Sequence, residues 1–442
     1  MASRNNARRL QNEPLDFQSP AQASGWSVAW SGLLALAVAM GIGRFAFTPL
    51  LPMMLHDRVI DLQAGGWLAT ANYVGYFLGA LSCLVIRSSP SRMIRLGLGM
   101  TVALTLIMGL SIAMPLPAAA ASLTQPLWML LRAASGIASA WVFVFGSSWC
   151  LLRLAQLQAP RLGGIIYCGP GIGIFITGLL AGAAATIGWH ASSGWLLFGL
   201  LAAILSALIW RTFDRAAAAV EAAPPTHSEV RMATESVLAA PMPERAHRIE
   251  SRILTFTYGL AGFGYIITAT FLPVIARDAL PHSSWADLFW PLFGLCVALG
   301  AWLAVFIPVN IDQRRLLGAC YLMQAAGVLV SVARPSLAGF ALSSILLGLP
   351  FTAITLFAMR EARRLGHALG APASRLMGLL TAAYGLGQIA GPPLATRLVR
   401  QFGNFTPSLL VAAIALGVGA TVLFFMSRYL PAGQPHPQPH ST

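Results

Sequence analysis

Long uninterrupted apolar stretches dominate this chain of 442 residues, and they restrict its fold more than any other feature. Hydrophobic residues make up 57% of the sequence and charged residues 10%, whereas a soluble domain carries about 25% charged residues. About 20 apolar residues cross a bilayer, and a segment that does so must be a helix or part of a closed barrel. Because the apolar stretches do not alternate with polar residues, the sequence predicts an all-α polytopic membrane protein.

Twelve apolar stretches can be counted, and each is predicted to form a transmembrane helix. Their approximate bounds are 27–53, 65–86, 94–114, 127–150, 163–187, 194–211, 253–276, 287–309, 316–333, 338–359, 376–398 and 407–428. The predicted organisation is a cytoplasmic N-terminal segment (1–26), an N-terminal six-helix bundle (27–211), a cytoplasmic linker (212–251), a C-terminal six-helix bundle (252–428) and a cytoplasmic tail (429–442). The first stretch is longer than the roughly 7–15 residues of a signal-peptide core, so it is predicted to be retained as a span.

The basic residues are all arginine, and their positions orient the chain in the membrane. With the N-terminus in the cytoplasm, 21 of the 28 fall in cytoplasmic segments, five in outside loops, and two, Arg44 and Arg132, within helices. This distribution follows the positive-inside rule, and it predicts that both termini are cytoplasmic. Orientation therefore explains most of the net charge of +14, and no nucleic-acid partner is expected.

The two halves of the chain resemble each other at an offset of 221 residues. The equivalent pairs are GIGRFAFTPLLP (41–52) and GFGYIITATFLP (262–273), Gly79 and Gly300, Gly97 and Gly318, and, close to this offset, Gly169-Pro170 and Gly391-Pro392. The repeat predicts two pseudo-symmetric six-helix bundles. Parallel repeats are typical of transporters whose substrate site lies between the halves near mid-membrane.

Arg44 and Arg132 are the strongest candidates for a functional site. A charge at the centre of a membrane helix costs about 2.5–3.5 kcal/mol on insertion scales, so such residues usually face the protein interior. At 1.5 Å per residue both are predicted to lie roughly 7–10 Å outward of the midplane. A guanidinium binds carboxylate or phosphate well, which indicates a site for an anionic group. The alternatives are that either side chain extends to the outer interface or binds the carbonyl groups of a broken helix.

Glycine and proline residues near Arg44 predict that the first helix is irregular. Gly41, Gly43, Pro49 and Pro52 follow one another within twelve residues. Breaks at membrane depth are tolerated where neighbouring groups or a water-filled cavity satisfy the freed backbone. The full set of predicted helix-breaking or gating residues is Gly41, Gly43, Pro49, Gly169, Pro170, Gly391 and Pro392.

Acidic residues and histidines are predicted to lie outside the helix cores. Asp57 and Asp278 occupy equivalent positions just beyond helices 1 and 7, and either could take part in gating or proton coupling; a solvated charge at a helix end is the alternative. The scattered cysteines have no metal-ligand spacing, so neither a metal site nor a disulfide framework is predicted. Without a catalytic constellation at membrane depth, the chain is predicted to be no enzyme and to need no cofactor.

Polar residues inside the predicted spans complete the candidate binding site. Asn72 and Tyr76 lie one turn apart in helix 2, Tyr265 in helix 7 and Gln388 in helix 11. We predict that these four side chains contribute hydrogen bonds to the substrate together with Arg44 and Arg132. Hydrogen bonding between helices is the alternative role for each of them.

Several motifs resemble those of the major facilitator superfamily (MFS). Arg132-Ala-Ala-Ser-Gly136 resembles its helix 4 motif, and Gly169-Pro170-x-x-Gly173 its helix 5 motif associated with antiporters. The loop RSSPSRMIR (87–95) keeps the basic character of another signature but lacks its Asp. The segments GIGRFAFTPLLPMM, ANYVGYFLGAL and GLGQIAGP are similar to YbfB/YjiJ-type facilitators. The resemblance implies the MFS fold, a bacterial inner-membrane location and alternating access, with helices 1, 4, 7 and 10 lining the cavity.

The sequence therefore predicts a monomeric secondary active transporter in the bacterial inner membrane. Its partners would be the lipid bilayer and a small organic solute, anionic or zwitterionic. A proton-coupled drug or metabolite efflux carrier is the first alternative, with protons as a further partner. The second alternative is a membrane sensor that has the carrier fold but moves no solute, since fold alone does not dictate function.

Overall fold

The protein is almost wholly helical in a computed structural model that describes residues 24–115, 117–221, 244–281, 283–308, 310–369 and 373–429. No β-strand occurs among these residues. The helices are α1 (Gly25–His56, comprising α1a Gly25–Leu36, a π-helical turn Ala37–Ile42 and α1b Phe47–His56), α2 (Leu62–Ser82), α3 (Pro90–Ala113), α4 (Thr124–Gln156), α5 (Gly169–Thr186), α6 (Ala191–Glu221), α7 (Glu244–Ala279), α8 (Phe289–Val305), α9 (Gln313–Ala333), α10 (Leu337–Ala368), α11 (Ala373–Phe402) and α12 (Thr406–Tyr429).

Ten helices of the described residues are long and apolar enough to cross a membrane, which supports the predicted multi-pass, all-α membrane protein. They are the helices named above apart from α2 and α11. These two contain 21 and 30 residues, so length does not exclude them. The predicted total of twelve spans stays a prediction for α2 and α11.

Several helices extend beyond their predicted bounds at the end of the molecule where α1 begins. Helix α4 continues to Gln156 and α10 to Ala368, beyond the apolar stretches that defined them. Helix α6 ends at Glu221 and α7 begins at Glu244, so the predicted linker 212–251 is helical at both of its ends. The rest of that linker, the first 23 residues and the tail from residue 430 lie outside the described residues.

Glycine residues allow the helix backbones to approach closely, and they do so at equivalent positions of the sequence repeat. A Cβ atom on Gly79 of α2 would lie 2.7 Å from the Ile137 Cα atom of α4. At the equivalent position, a Cβ atom on Gly300 of α8 would overlap the Leu349 carbonyl group of α10. The same kind of contact therefore joins α2 to α4 and α8 to α10. Small residues at helix interfaces are typical of membrane helix packing.

Two extensive helix contacts join the N-terminal part of the chain to its C-terminal part, in addition to the contact of α1b with α7. Helix α5 packs on α8, where a Cβ atom on Gly171 would collide with the backbone of Ala298. Helix α2 packs on α11, where a Cβ atom on Gly66 would lie 2.6 Å from Thr396 Cγ2. These contacts bring the polar residues of α2 and α11 toward each other and toward α1.

A cluster of charged residues connects α7, α9 and α10 at the end of the molecule where α1 begins. The buried Arg314 guanidinium donates to Glu250 Oε1 at 2.7 Å and to Asp312 Oδ2 at 2.8 Å. Arg364 donates to Glu361 Oε1 at 2.7 Å and also contacts Glu250. Burial alone would raise the pKa of Asp312, but the hydrogen bonds and charge of Arg314 outweigh it and lower that pKa. The RSSPSRMIR loop of the other half has no carboxylate in its sequence.

The glycine contacts yield a prediction for stability. A Cβ atom on Gly75 of α2 would overlap the Ala133 carbonyl group, whereas nothing lies within 4 Å of a Cβ atom on Gly99 of α3. Because overpacking costs about 1–3 kcal/mol, Gly75→Ala should lower the melting temperature of the purified protein. Gly99→Ala, the matched control, should leave it unchanged or slightly higher, since alanine favours helix over glycine. Equal melting temperatures for the two variants would contradict this packing.

Candidate functional site

Helix α1 is broken between its two halves. Within its π-helical turn, the Gly43 N–H donates to the Val38 carbonyl at 2.9 Å, and the Phe45 N–H donates to the Met40 carbonyl at 3.0 Å. The Thr48 N–H then donates to the Phe45 carbonyl at 3.1 Å. The Arg44 carbonyl therefore lacks its usual donor four residues later. Wide helical turns of this kind often occur at functional sites.

Side chains from α2 and α4 bind the carbonyl groups that the break leaves free. Arg132 donates from Nη2 to the Arg44 carbonyl at 3.1 Å and from Nη1 to the Gly43 carbonyl at 3.3 Å. Ser135 Oγ donates to the Gly43 carbonyl at 2.7 Å. Asn72 Nδ2 donates to the Arg132 carbonyl at 3.0 Å and to the Gly43 carbonyl at 3.4 Å. Together they satisfy backbone groups that would be costly to bury unpaired.

The surroundings of Arg132 explain why this charge lies inside the protein. Its guanidinium binds the backbone of α1, and its carbon atom Cζ lies 5.0 Å from the Phe47 ring centre and 5.7 Å from that of Trp195. Arg132 thus binds the carbonyl groups of a broken helix, which the sequence left open as an alternative to substrate binding. Its predicted contact with substrate is untested.

Arg44 lies inside the protein, and its guanidinium donates a hydrogen bond to a neutral side chain of the described residues. The residue is 3% exposed, and its Nη2 donates to Gln388 Oε1 on α11 at 2.6 Å. Arg44 forms no ion pair with any carboxylate of the described residues. Its Nε has no hydrogen-bond partner among those residues. The positive charge of Arg44 is therefore not neutralised by this part of the chain.

Gln388 connects Arg44 to a group of aromatic residues. Gln388 Nε2 donates to the Tyr265 hydroxyl of α7 in a short hydrogen bond. The Tyr265 ring stacks on that of Tyr384 with centres 5.6 Å apart, and Tyr384 stacks on Tyr258 at 4.7 Å. The amide of Gln388 thus accepts from an arginine on one side and donates to a tyrosine on the other.

Aromatic rings also surround the Arg44 guanidinium. Its carbon atom Cζ lies 4.0 Å from the Tyr76 ring centre and 5.3 Å from the ring centres of Tyr73 and Phe45. Cation–π contacts of this kind contribute about 2 kcal/mol or more when water is excluded. They stabilise the cation, but they leave its charge unneutralised.

Further hydrogen bonds near Arg44 join α1 and α2 to α7. Thr48 Oγ1 donates to the Ala269 carbonyl at 3.1 Å, and the hydroxyl groups of Tyr73 and Thr270 lie 2.9 Å apart. Thr48 and Ala269 are separated by the repeat offset of 221 residues, so they occupy equivalent positions. Arg44 and Tyr265 are equivalent in the same way. Positions that match in the two repeats thus meet in space around Arg44.

The site is closed in this conformation. Gln388 and Tyr265 are each 2% exposed, close to the value for Arg44. A surface groove of about 510 Å³ lies between α7 and α11, but it is lined by other residues, most of them apolar. A solute would reach Arg44 only after the helices around it move.

The predicted helix-breaking residues have different roles in the structure. A Cβ atom on Gly41 would lie 2.5 Å from the Gly173 Cα atom, and one on Gly169 would overlap the Leu33 carbonyl group, so these glycines bring α5 against α1. Pro170 lies in the first turn of α5, and Pro49 in the first turn of α1b. Gly391 and Pro392 lie inside α11, which continues through them without ending.

The two candidate coupling residues lie away from Arg44, at the C-terminal ends of α1 and α7. Asp57 Oδ2 accepts the Ala191 N–H at 2.7 Å, and Asp57 Oδ1 lies 3.5 Å from the ring nitrogens of His56 and His190. Asp57 thus caps the start of α6, while Asp278 is exposed near the end of α7. No group of three or more His, Cys, Asp or Glu residues that could bind a metal is found in the described parts of the chain.

Sequence reasoning missed two serines and one threonine of this site. Ser135 binds the Gly43 carbonyl, and Ser139 donates to the Ala39 carbonyl at 2.7 Å. Both follow Arg132 at helical spacing, three and seven residues later, so their shared helix face could have been recognised. Thr48 could have been found from its equivalence to Ala269, because residues beside the axis of a repeat contact their counterparts.

Comparisons with known proteins give a sequence family and a shared fold. Residues 36–424 match a sequence family described as "Uncharacterised MFS-type transporter YbfB". No curated protein matches the chain. Among solved structures, that of a mutant of the nucleoside transporter NupG superposes with a TM-score of 0.65 and 13% sequence identity, covering 91% of this chain and 99% of that one. At this identity the structural match indicates a shared fold alone.

The position of Arg132 leads to a test of its role. Arg132→Gln should lower the free energy of unfolding by roughly 1–3 kcal/mol, because it removes the donor that the buried Arg44 carbonyl accepts from. The matched control is Arg153→Gln on the same helix, because Arg153 donates to the exposed neighbouring side chain of Gln156. That change should stay within about 0.5 kcal/mol. Equal effects in thermal unfolding of the two purified variants would contradict the assignment.

Proposed function

This chain belongs to the MFS transporter family described by the uncharacterised member YbfB, and on that premise we propose that it carries a small organic anion or zwitterion through a site at Arg44. The family consists of transporters, so the chain is a membrane transporter and not an enzyme. The chemical class of the solute and the way in which it moves are proposed.

The burial of Arg44 without a counter-charge is the observation that carries this proposal. A buried cation is costly unless an anion or a strong set of hydrogen bonds compensates it. Arg44 has one neutral acceptor in Gln388, three aromatic rings and an unpartnered Nε. A carboxylate from the solute would supply two charged oxygen atoms, and the planar guanidinium can bind both at once.

The position of Arg44 in the repeat supports a central substrate site. When two halves are related by rotation about an axis, a residue contacts its counterpart only if it lies beside that axis. Thr48 and Ala269 are such counterparts, and Tyr265, the counterpart of Arg44, is connected to it through Gln388. In transporters with parallel repeats the substrate site lies at the same place. Alternating access would then proceed by rocking of two six-helix halves around Arg44.

We extend this proposal to the other site residues and to the membrane topology. Tyr76, Tyr265 and Gln388 would surround the solute, while Arg132 and Asn72 would position Arg44 by binding the α1 backbone. All twelve helices would span the bacterial inner membrane with both termini in the cytoplasm, and the carrier would act as a monomer. The excess of arginine in the predicted cytoplasmic segments supports this orientation.

Substitution of Arg44 tests the proposal. Purified protein would be screened for thermal stabilisation by small carboxylates and by the neutral amides of the same acids. A ligand at about 100 times its Kd stabilises the folded state by about 2.7 kcal/mol, so a carboxylate of the right shape should raise the melting temperature while its amide should not. The Arg44→Gln variant should fold but lose both this stabilisation and uptake of that carboxylate into proteoliposomes.

Arg400→Gln is the matched control for that experiment. Arg400 also donates to a glutamine, Gln63 of α2, but this pair is exposed. The control variant should retain ligand stabilisation and uptake. Normal uptake by Arg44→Gln would contradict the proposed site. Stabilisation without uptake by the unsubstituted protein would favour the sensor alternative.

The placement of the acidic residues predicts how transport responds to a proton gradient. Asp57 lies at a helix end and Asp278 is exposed, and neither belongs to the hydrogen-bond group around Arg44. Proton-coupled carriers typically use acidic or histidine residues buried among the helices. Uptake into proteoliposomes should therefore be unchanged when a pH difference is imposed. Uptake that follows the imposed gradient, and that is lost in Asp57→Asn or Asp278→Asn, would instead support proton coupling.

A further inference from the structure

We propose that the Gln388 side chain occupies the anion position of Arg44 in the empty carrier, so that a solute carboxylate must displace it and thereby separate α1 from α11. This inference rests on the proposed function, and it adds a role for Gln388 as the residue that sets which solutes can enter. Gln388 would compete with the solute for Arg44 before any contact of its own with that solute.

The geometry of the Gln388 amide supports this role. Its oxygen accepts from Arg44 Nη2 at 2.6 Å, while its nitrogen donates to the Tyr265 hydroxyl. The guanidinium only donates, so it fixes the amide oxygen toward Arg44, and the Tyr265 hydroxyl then accepts from the amide nitrogen. The contact resembles that of one carboxylate oxygen in direction and length, but it lacks the negative charge.

The Arg44–Gln388 hydrogen bond also connects the two repeats of the chain. Arg44 and Gln388 are 344 residues apart, and they belong to α1 and α11. The ion pairs shown between two described residues, from His56–Asp57 to Arg364–Glu361, each lie within one repeat. Near Arg44, the other buried side-chain hydrogen bonds between the repeats, Thr48 to the Ala269 carbonyl and Tyr73 with Thr270, join neutral groups. Breaking the Arg44–Gln388 bond would thus remove the strongest polar contact between α1 and α11.

A competing glutamine would distinguish anions from neutral solutes. A neutral amide or hydroxyl group would accept a hydrogen bond from Arg44, as Gln388 already does. Replacing Gln388 by such a group would therefore gain little binding free energy. A carboxylate offers a charge-assisted, two-point contact, which is roughly twice as strong as a neutral hydrogen bond. Only an anion would then displace Gln388, and the same step would free the helices to move.

The inference is tested first without any solute, by hydrogen–deuterium exchange of the full-length purified protein. Gln388→Glu should place a fixed carboxylate on Arg44 and slow exchange of the backbone amides of residues 37–46. Gln388→Ala should remove the contact and speed exchange of the same segment. The two variants should differ by about tenfold, the factor that corresponds to 1.4 kcal/mol.

Two controls separate this role from a general loss of packing. Combining Gln388→Glu with Arg44→Gln should abolish the slower exchange, since the new carboxylate then has no cation to bind. Gln63→Glu opposite the exposed Arg400 makes the same chemical change between α2 and α11, and it should leave residues 37–46 unaffected. Equal exchange rates in Gln388→Glu and Gln388→Ala would overturn the proposal. So would exchange in the double variant that stays as slow as in Gln388→Glu alone.

Acetate, the simplest organic carboxylate probe, tests the competition itself. Acetate should speed exchange of residues 37–46, whereas the same concentration of acetamide should not. Gln388→Ala should lower the acetate concentration at half effect about tenfold, measured by the stabilisation of the protein.

An acetate response that requires Arg44 but is not strengthened in Gln388→Ala would overturn the competition and leave the anion site intact. A response unchanged in Arg44→Gln would instead contradict the anion site, and no response in any variant would overturn the competition.

Discussion

A single hydrogen bond between a charged and a neutral side chain, Arg44 to Gln388, is the interaction on which the rest of the site depends. It is formed among apolar helices, where a lone positive charge is costly, and the described residues bring no carboxylate to it. Aromatic rings and the Gln388 amide stabilise the buried Arg44 cation in this arrangement. A solute that carries the missing negative charge would bind there more strongly than the amide does.

The two buried arginines differ in what they bind, although their chemistry is the same. Arg132 donates to the Gly43 and Arg44 carbonyls, so its charge stabilises backbone groups that the break in α1 leaves free. Arg44 lies at that break, with its backbone held by Arg132 and its guanidinium directed to Gln388. The break therefore places one cation where it can bind a solute, and the other arginine maintains the break.

Much of the fold could be predicted from the sequence, because membrane insertion depends on residue composition. Apolar stretches located the helices, and the family match confirms the resemblance drawn from segments such as GIGRF. The roles of Arg44 and Arg132 could not be separated in this way, because both are arginines at similar depth. A local backbone change and a tertiary contact distinguish them: the Thr48 N–H bonds to the Phe45 carbonyl, and the Arg44 carbonyl then accepts from Arg132 of α4. The pairing of Arg44 with Gln388 likewise depends on how α11 packs against α2.

Arg44 is proposed to be the cation that binds the negative charge of a solute. A structure of the purified protein with a stabilising carboxylate bound, solved by cryo-electron microscopy, tests this proposal most directly. We expect the carboxylate within hydrogen-bond distance of the Arg44 guanidinium, with Gln388 Oε1 moved away from Arg44. A carboxylate bound elsewhere, with the Arg44–Gln388 hydrogen bond still in place, would contradict it.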